Sequence, residues 1–214
     1  MATSTHGRYH HGDLANALSA AALELARSGG PEAVVLREAA RQVGVSATAA
    51  YRHFDNHDAL MESVKLECQV ELVGRMENEL LAGDPQKDPQ LEAVRRLYAL
   101  GRAYISFART EPGLFRTAFC RSTHPKDEQW AQMLEAPGFL ALLRTLDDMV
   151  DTGLLAPERR PGAELVAWSG VHGLSVLILD GPLGALPNQV IEQLIARVQE
   201  GILTGILGRA VELD

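Results

Sequence analysis

Ser46, Thr48, Tyr51, Arg52 and His53 lie within eight residues of one another, and each carries a hydroxyl, imidazole or guanidinium able to meet a phosphate oxygen or a base edge. Arg37 upstream and His57 downstream extend the set, while Ala47 and Ala49 between them offer only a methyl that can touch a thymine or permit close approach. The chemistry is that of contact. No Ser-His-Asp order, HExxH, phosphate-cradling glycine loop or paired carboxylates occur with a supporting context, so the chain reads as a non-enzyme.

The elements that must hold these residues are legible in 36–54, LREAARQVGVSATAAYRHF. Leu36, Ala39, Ala40 and Val43 fall at i, i+3, i+4 and i+7 and form one buried helix face, which Gly44 stops. Ser46 follows as an N-cap, and Val45, Ala50 and Phe54 point back to the core. Two short helices joined at Gly44-Val45-Ser46 are a helix-turn-helix. Its second helix is small at the start and hydrogen-bonding further along, as suits insertion into a major groove.

Charge constrains this reading, because the chain carries a formal −8 and its first sixty residues hold five Arg against six acids. Contact with DNA therefore requires arginines placed locally on one face, not a basic domain. Cys68 and Cys120 are isolated thiols, which fits a reducing compartment. The longest apolar run, around 176–179, is too short to span a bilayer, and 1–11 has no signal-peptide segment, so a cytoplasmic protein without membrane attachment is expected. No cofactor or metal is expected either, since His6, His10 and His11 lack a carboxylate or Cys partner. The segment HGRYHHG that contains them is either a disordered tail or an arm whose Arg8 enters a minor groove.

Hydrophobic residues make up 46% of the chain and aromatics 5%, with no period-two strands, so an all-α fold is expected. A helix over 13–28 buries Leu14, Leu18, Ala21 and Leu25, and a longer one runs over 57–81 to the breaker segment 83–89. Further helices follow at 90–110, 112–120, 127–153 (broken near Pro137-Gly138), 162–180 and 188–209. The expected division is an arm and three-helix helix-turn-helix head in 1–57, and a larger helical regulatory domain for ligand binding and dimerisation in 58–214.

Within the second domain Trp168 and His172 are four apart and share a helix face. They are either core packing with a satisfied histidine, or part of a ligand pocket with members of Tyr104, Phe107, Phe115, Phe119, Trp130 and Met133. The last helix carries Val190, Leu194, Val198, Ile202 and Ile206 in a stripe, with Ile191 and Ile195 alongside, wider than one neighbour requires. Gly201 and Gly205 each cost about 1 kcal/mol relative to Ala, so another helix is expected to approach them closely. The last two helices are thus the candidate four-helix dimer interface.

The ordered set HGDL, Gly30, LREAARQVGVS, YRHF and Asp58-Ala59-Leu60 resembles the N-terminal domain of the tetracycline-repressor-like (TetR) regulators. The stretch 167–183, AWSGVHGLSVLILDGPL, resembles the regulatory domain named for its Trp, His and Gly in one branch of that family, here Trp168, His172 and Gly173. The resemblance implies a homodimer on a palindromic double-stranded operator, repressing until a small molecule binds. It also implies base or phosphate contact by Arg37, phosphate anchoring by Tyr51 and His53, and base reading by Thr48 and Ala49. Two positions depart from the family: Val35 stands where a capping Thr or Ser is usual, and His57, flanked by Asp55 and Asp58, where a phosphate-holding Lys is usual. His57 and the weak basic balance leave a second reading, a helical small-molecule-binding or interaction protein with a weakened DNA-binding head.

Overall fold

The computed structural model describes residues 11–121 and 126–208, with side chains for 14–121 and 131–208, and only helices and turns occur among them. Helix α1 (His11–Gly29) ends at Gly30, whose φ of 73° is left-handed and suits glycine. Its buried face is Leu18, Ala22 and Ala26 instead of the expected stripe through Ala21 and Leu25. The difference is one of size: alanines let α1 lie close to α2 (Leu36–Val43), while Leu14, Ala21 and Leu25 are left half-buried at the flank.

Gly44, at φ 79°, ends α2, and its amide and that of Val45 return to Ala40 and Arg41 carbonyls. Ser46 Oγ then accepts from the Ala49 amide at 3.1 Å and starts α3 (Ala47–Ala50), after which the Arg52 and His53 amides reach only three residues back, in turns that carry the chain to Phe54. The head is closed by buried Leu36, Ala39, Ala40, Ala50 and Phe54. Helix α4 (His57–Ala82) begins at an Asn56 cap, whose Oδ1 accepts from Ala59 at 2.8 Å, and buries Leu60, Val64, Cys68, Leu72 and Met76 in one stripe.

Asp88 caps α5 (Pro89–Thr110) by accepting from the Gln90 and Leu91 amides, with Pro89 at the first helical position. Helix α6 (Pro112–Ala118) follows. The expected break falls between α7 (Lys126–Glu135) and α8 (Pro137–Asp151), because Pro137 supplies no amide and pushes Ala136 out of helical conformation. Helices α9 (Ala163–Leu179) and α10 (Asn188–Leu207) pack together at Gly170, where a Cβ would sit 2.6 Å from Ile202 Cδ1.

Backbone contacts group the chain into two units, one of the described residues to Cys68 with 113–121, the other of 69–112 with 126–208. Helix α6 thus belongs with α1 to α3, although α5, which precedes it directly, belongs to the second unit. No helix among the described residues is long and apolar enough to cross a membrane.

Candidate functional site

Packing on one side of α2 and α3 decides what the other side presents. With Ala50 and Phe54 turned inward, Arg37, Ser46, Thr48, Tyr51 and Arg52 are exposed, Tyr51 at 43%, and Ala47, Ala49 and His53 are partly so. The charges of the first helices are differently engaged. Arg41 is held by Glu38 through two hydrogen bonds and Arg27 by Glu24, which keeps the Glu38 carboxyl below its usual range. Arg37 and Arg52 carry no ion pair among the described residues. Two exposed guanidiniums in the helix-turn-helix, without an acidic partner among the described residues, thus supply locally what the −8 net charge does not.

His57 is placed differently from the outward set. Its Nε2 lies 3.0 Å from the Val34 carbonyl oxygen, and its Nδ1 lies 3.7 Å from Asp58 Oδ1. A carbonyl only accepts, so Nε2 carries the hydrogen. Val35, the residue that starts α2, offers no side-chain cap. The N-terminal segment with His6, Arg8, His10 and His11 includes nothing whose side chain is described.

The candidate pocket residues do not form one group. Tyr104, Trp168 and His172 come together: the Trp168 indole donates to the Tyr104 hydroxyl at 3.2 Å, and that hydroxyl lies 2.8 Å from His172 Nδ1. The Trp168 ring is 5.4 Å from His172 and meets Phe139 edge-on at 6.3 Å. Burial pushes the Tyr104 phenol up, against a smaller opposite effect of the Trp168 bond, and pushes His172 down, so the imidazole is neutral near pH 7. Phe107 is instead wholly buried under the Arg75 guanidinium, 5.5 Å from its ring, and Arg75 is tied to Thr110 and Glu111. Phe115 and Phe119 meet at a tilt, 5.0 Å between ring centres, within the first unit. Met133 is half-buried, and Trp130 lies outside the residues whose side chains are described. Among the described residues no cluster could hold a metal ion.

Sequence reasoning missed Phe139, which no spacing connects to residue 168. It also missed a groove of about 180 Å³ between α4 and α8, lined by Val73, Met76, Leu80, Leu140 and Ala141 with Glu77 and Arg144, to which none of the eight candidate ligand residues contributes.

On α10, Ile202 and Ile206 are 8% and 2% exposed within their own chain and pack inward with Ile191, Ile195 and Leu203. Gly170 lets α9 close on Ile202, so that side chain serves the intrachain core. Val190, Gly201 and Gly205 are exposed, Leu194 and Val198 half-buried, and α9 adds exposed Leu165, Val166, Val176 and Leu177. Gly201 makes no close approach inside the chain, since a Cβ there would meet nothing within 4 Å, and one at Gly205 would only touch Val166 at 3.8 Å.

Two family models match this chain: "Bacterial regulatory proteins, tetR family" over 18–64, and "Tetracyclin repressor-like, C-terminal domain" over 97–200. Similar solved structures include a protein of unknown function from Rhodococcus sp. RHA1, 24% identical with a TM-score of 0.74, covering 94% of this chain and 100% of that one. A putative tetR family transcription regulator from Shewanella sp. PV-4 is 18% identical with a TM-score of 0.61, covering 93% and 99%. A TetR variant from Acinetobacter baumannii AYE in complex with minocycline is 18% identical with a TM-score of 0.56, covering 92% and 96%. At such identities these structures show the fold. No curated protein matches.

Proposed function

The chain belongs to the tetR family of bacterial regulatory proteins, and from that membership we propose that it is a cytoplasmic, homodimeric repressor released from a palindromic operator by a small, largely apolar molecule. The observation that carries the reading is the division of the head. Its apolar residues are spent inward, while Arg37, Thr48, Tyr51 and Arg52 face outward and the two arginines have no acidic partner among the described residues. Tyr51 and His53 hold phosphates; Arg37, Thr48 and Ala49 approach bases.

The expected outcome separates these roles. Tyr51→Ala weakens binding to every duplex alike, by about tenfold, whereas Thr48→Val changes preference at one base pair with little loss elsewhere. Gel-shift titration against a preferred duplex and its single-base variants checks both. Uniform behaviour of Thr48→Val would remove Thr48 from base reading.

The exposed apolar residues of α9 and α10 support dimerisation through 162–180 and 188–209. The effector binds among those helices of 100–175 that belong to the second unit, oriented by His172, whose neutral ring is held by Tyr104. A hundredfold release requires about 2.7 kcal/mol of differential affinity between the two dimer geometries. Helix α4, continuous from the first unit into the second, is the element that transmits it. His172→Ala is expected to lower the response to ligand while leaving ligand-free DNA binding unchanged; an intact response would return His172 to a core role.

A further inference from the structure

We propose that His57 is a positioning residue that latches the start of α4 to the segment entering α2, and so sets the attitude of the DNA-reading surface without itself holding a phosphate. The inference rests on the reading of the head as DNA-binding.

Three observations converge on it. The ring nitrogen Nε2 is committed to Val34 O, 3.0 Å away and 23 residues earlier in the chain, and that bond ties together two elements that local hydrogen bonding does not connect. At the other end of the latch, α2 begins without a side-chain cap: Val35 carries none, and only the Val35 carbonyl, taking the Glu38 and Ala39 amides, defines the first turn. Val34 itself is fully buried, so a constraint on its carbonyl acts on the backbone two residues before α2 and three before Arg37. The third observation is that α4 does not need His57 for its own start, since Asn56 Oδ1 already caps it through the Ala59 amide. The ring is left for the bond across the head.

The local charge argues against a direct phosphate role. Asp55 and Asp58 flank His57 and are exposed, and Asp58 Oδ1 is 3.7 Å from the second ring nitrogen. A phosphate brought to Nδ1 would meet that carboxylate first. The Nε2–H bond to Val34 is present whether or not Nδ1 is protonated, so the latch is kept in both charge states.

A phosphate ligand and a latch differ in what they do to binding. A residue that neutralises one phosphate contributes about one unit to the slope of log K against log salt and acts on specific and non-specific DNA alike. A latch contributes nothing to the slope and acts only where side chains must fit base edges. The test uses full-length wild type, His57→Ala and His57→Gln, whose amide nitrogen can donate in place of Nε2. Each is titrated over a salt series with the preferred duplex from a random library and with a scrambled duplex, at a temperature where melting shows all three fully folded. The expected result is an approximately tenfold loss of preference for the selected duplex in His57→Ala, recovery in His57→Gln, and unchanged scrambled binding and salt slope. A slope lowered by about one with weaker scrambled binding overturns the proposal in favour of phosphate contact. Failure of His57→Gln to recover, or wild-type preference in His57→Ala, overturns it as well.

Discussion

The double variant Gly201→Leu, Val176→Asp is expected to sediment as a folded monomer and to lose about a hundredfold or more in operator affinity. Gly201 lies on the exposed side of α10, where a Cβ would meet nothing of its own chain, and Val176 is 40% exposed on α9. Leucine therefore fits the isolated chain, and removing a helix-interior glycine favours α10 by about 1 kcal/mol. The cost falls on whatever packs against that face. A dimer engages two half-sites through one body, so losing it removes the second, effectively intramolecular contact, commonly worth about 10²–10⁴ in avidity. Sedimentation, thermal melting and gel shift separate these effects: a lower oligomer, an undiminished melt and a weakened complex belong together. Ile202→Asp would not serve, because Ile202 is buried in its own chain and a charge there unfolds the protein. A double variant that remains dimeric and binds normally would remove these faces from the interface.

Gly113→Val is expected to cost about 3 kcal/mol and lower the melting temperature by about 10 °C, with DNA binding falling in parallel. A Cβ at Gly113 would stand 2.3 Å from the Ala26 carbonyl oxygen and 2.5 Å from that of Arg27. Both obstacles are backbone, at the end of α1, and neither can rotate away. Helix α6 would have to leave α1, whose Leu18, Ala22 and Ala26 complete the core beneath the helix-turn-helix. The chain enters α6 within two residues of leaving α5, so this contact lies beside one of the points where the chain passes from the second unit into the first. A variant that melts and binds like wild type would show that α1 and α6 need not approach this closely. Gly113→Ala, with a smaller overlap, is expected to lie between the two.

Most helices were readable because their determinants are local. Gly44, Ser46, Asn56, Asp88 and Pro137 act within four residues through caps, left-handed φ or a missing amide, and each ends or begins a helix where the sequence places it. Periodicity found the face of α2 but only Leu18 of that of α1, where Ala22 and Ala26 take the buried places expected for Ala21 and Leu25. Long-range partners were not readable. Nothing in spacing joins Tyr104 to Trp168 and His172, or His57 to Val34, because these bonds depend on how helices pack. Within the chain the close approach of α9 and α10 occurs at Gly170, while Gly201 and Gly205 stay open on the face proposed for the dimer. Burial of Ile202 follows from that approach.

The most direct test of DNA reading by this head is selection of duplexes from a random library by the purified protein at low salt, followed by sequencing. The expected result is a two-fold symmetric motif with half-sites about one helical turn apart, matching a dimer that presents two recognition helices to successive major grooves. Recovery of no enriched duplex at low salt, or only of a single unsymmetrical half-site, would contradict it.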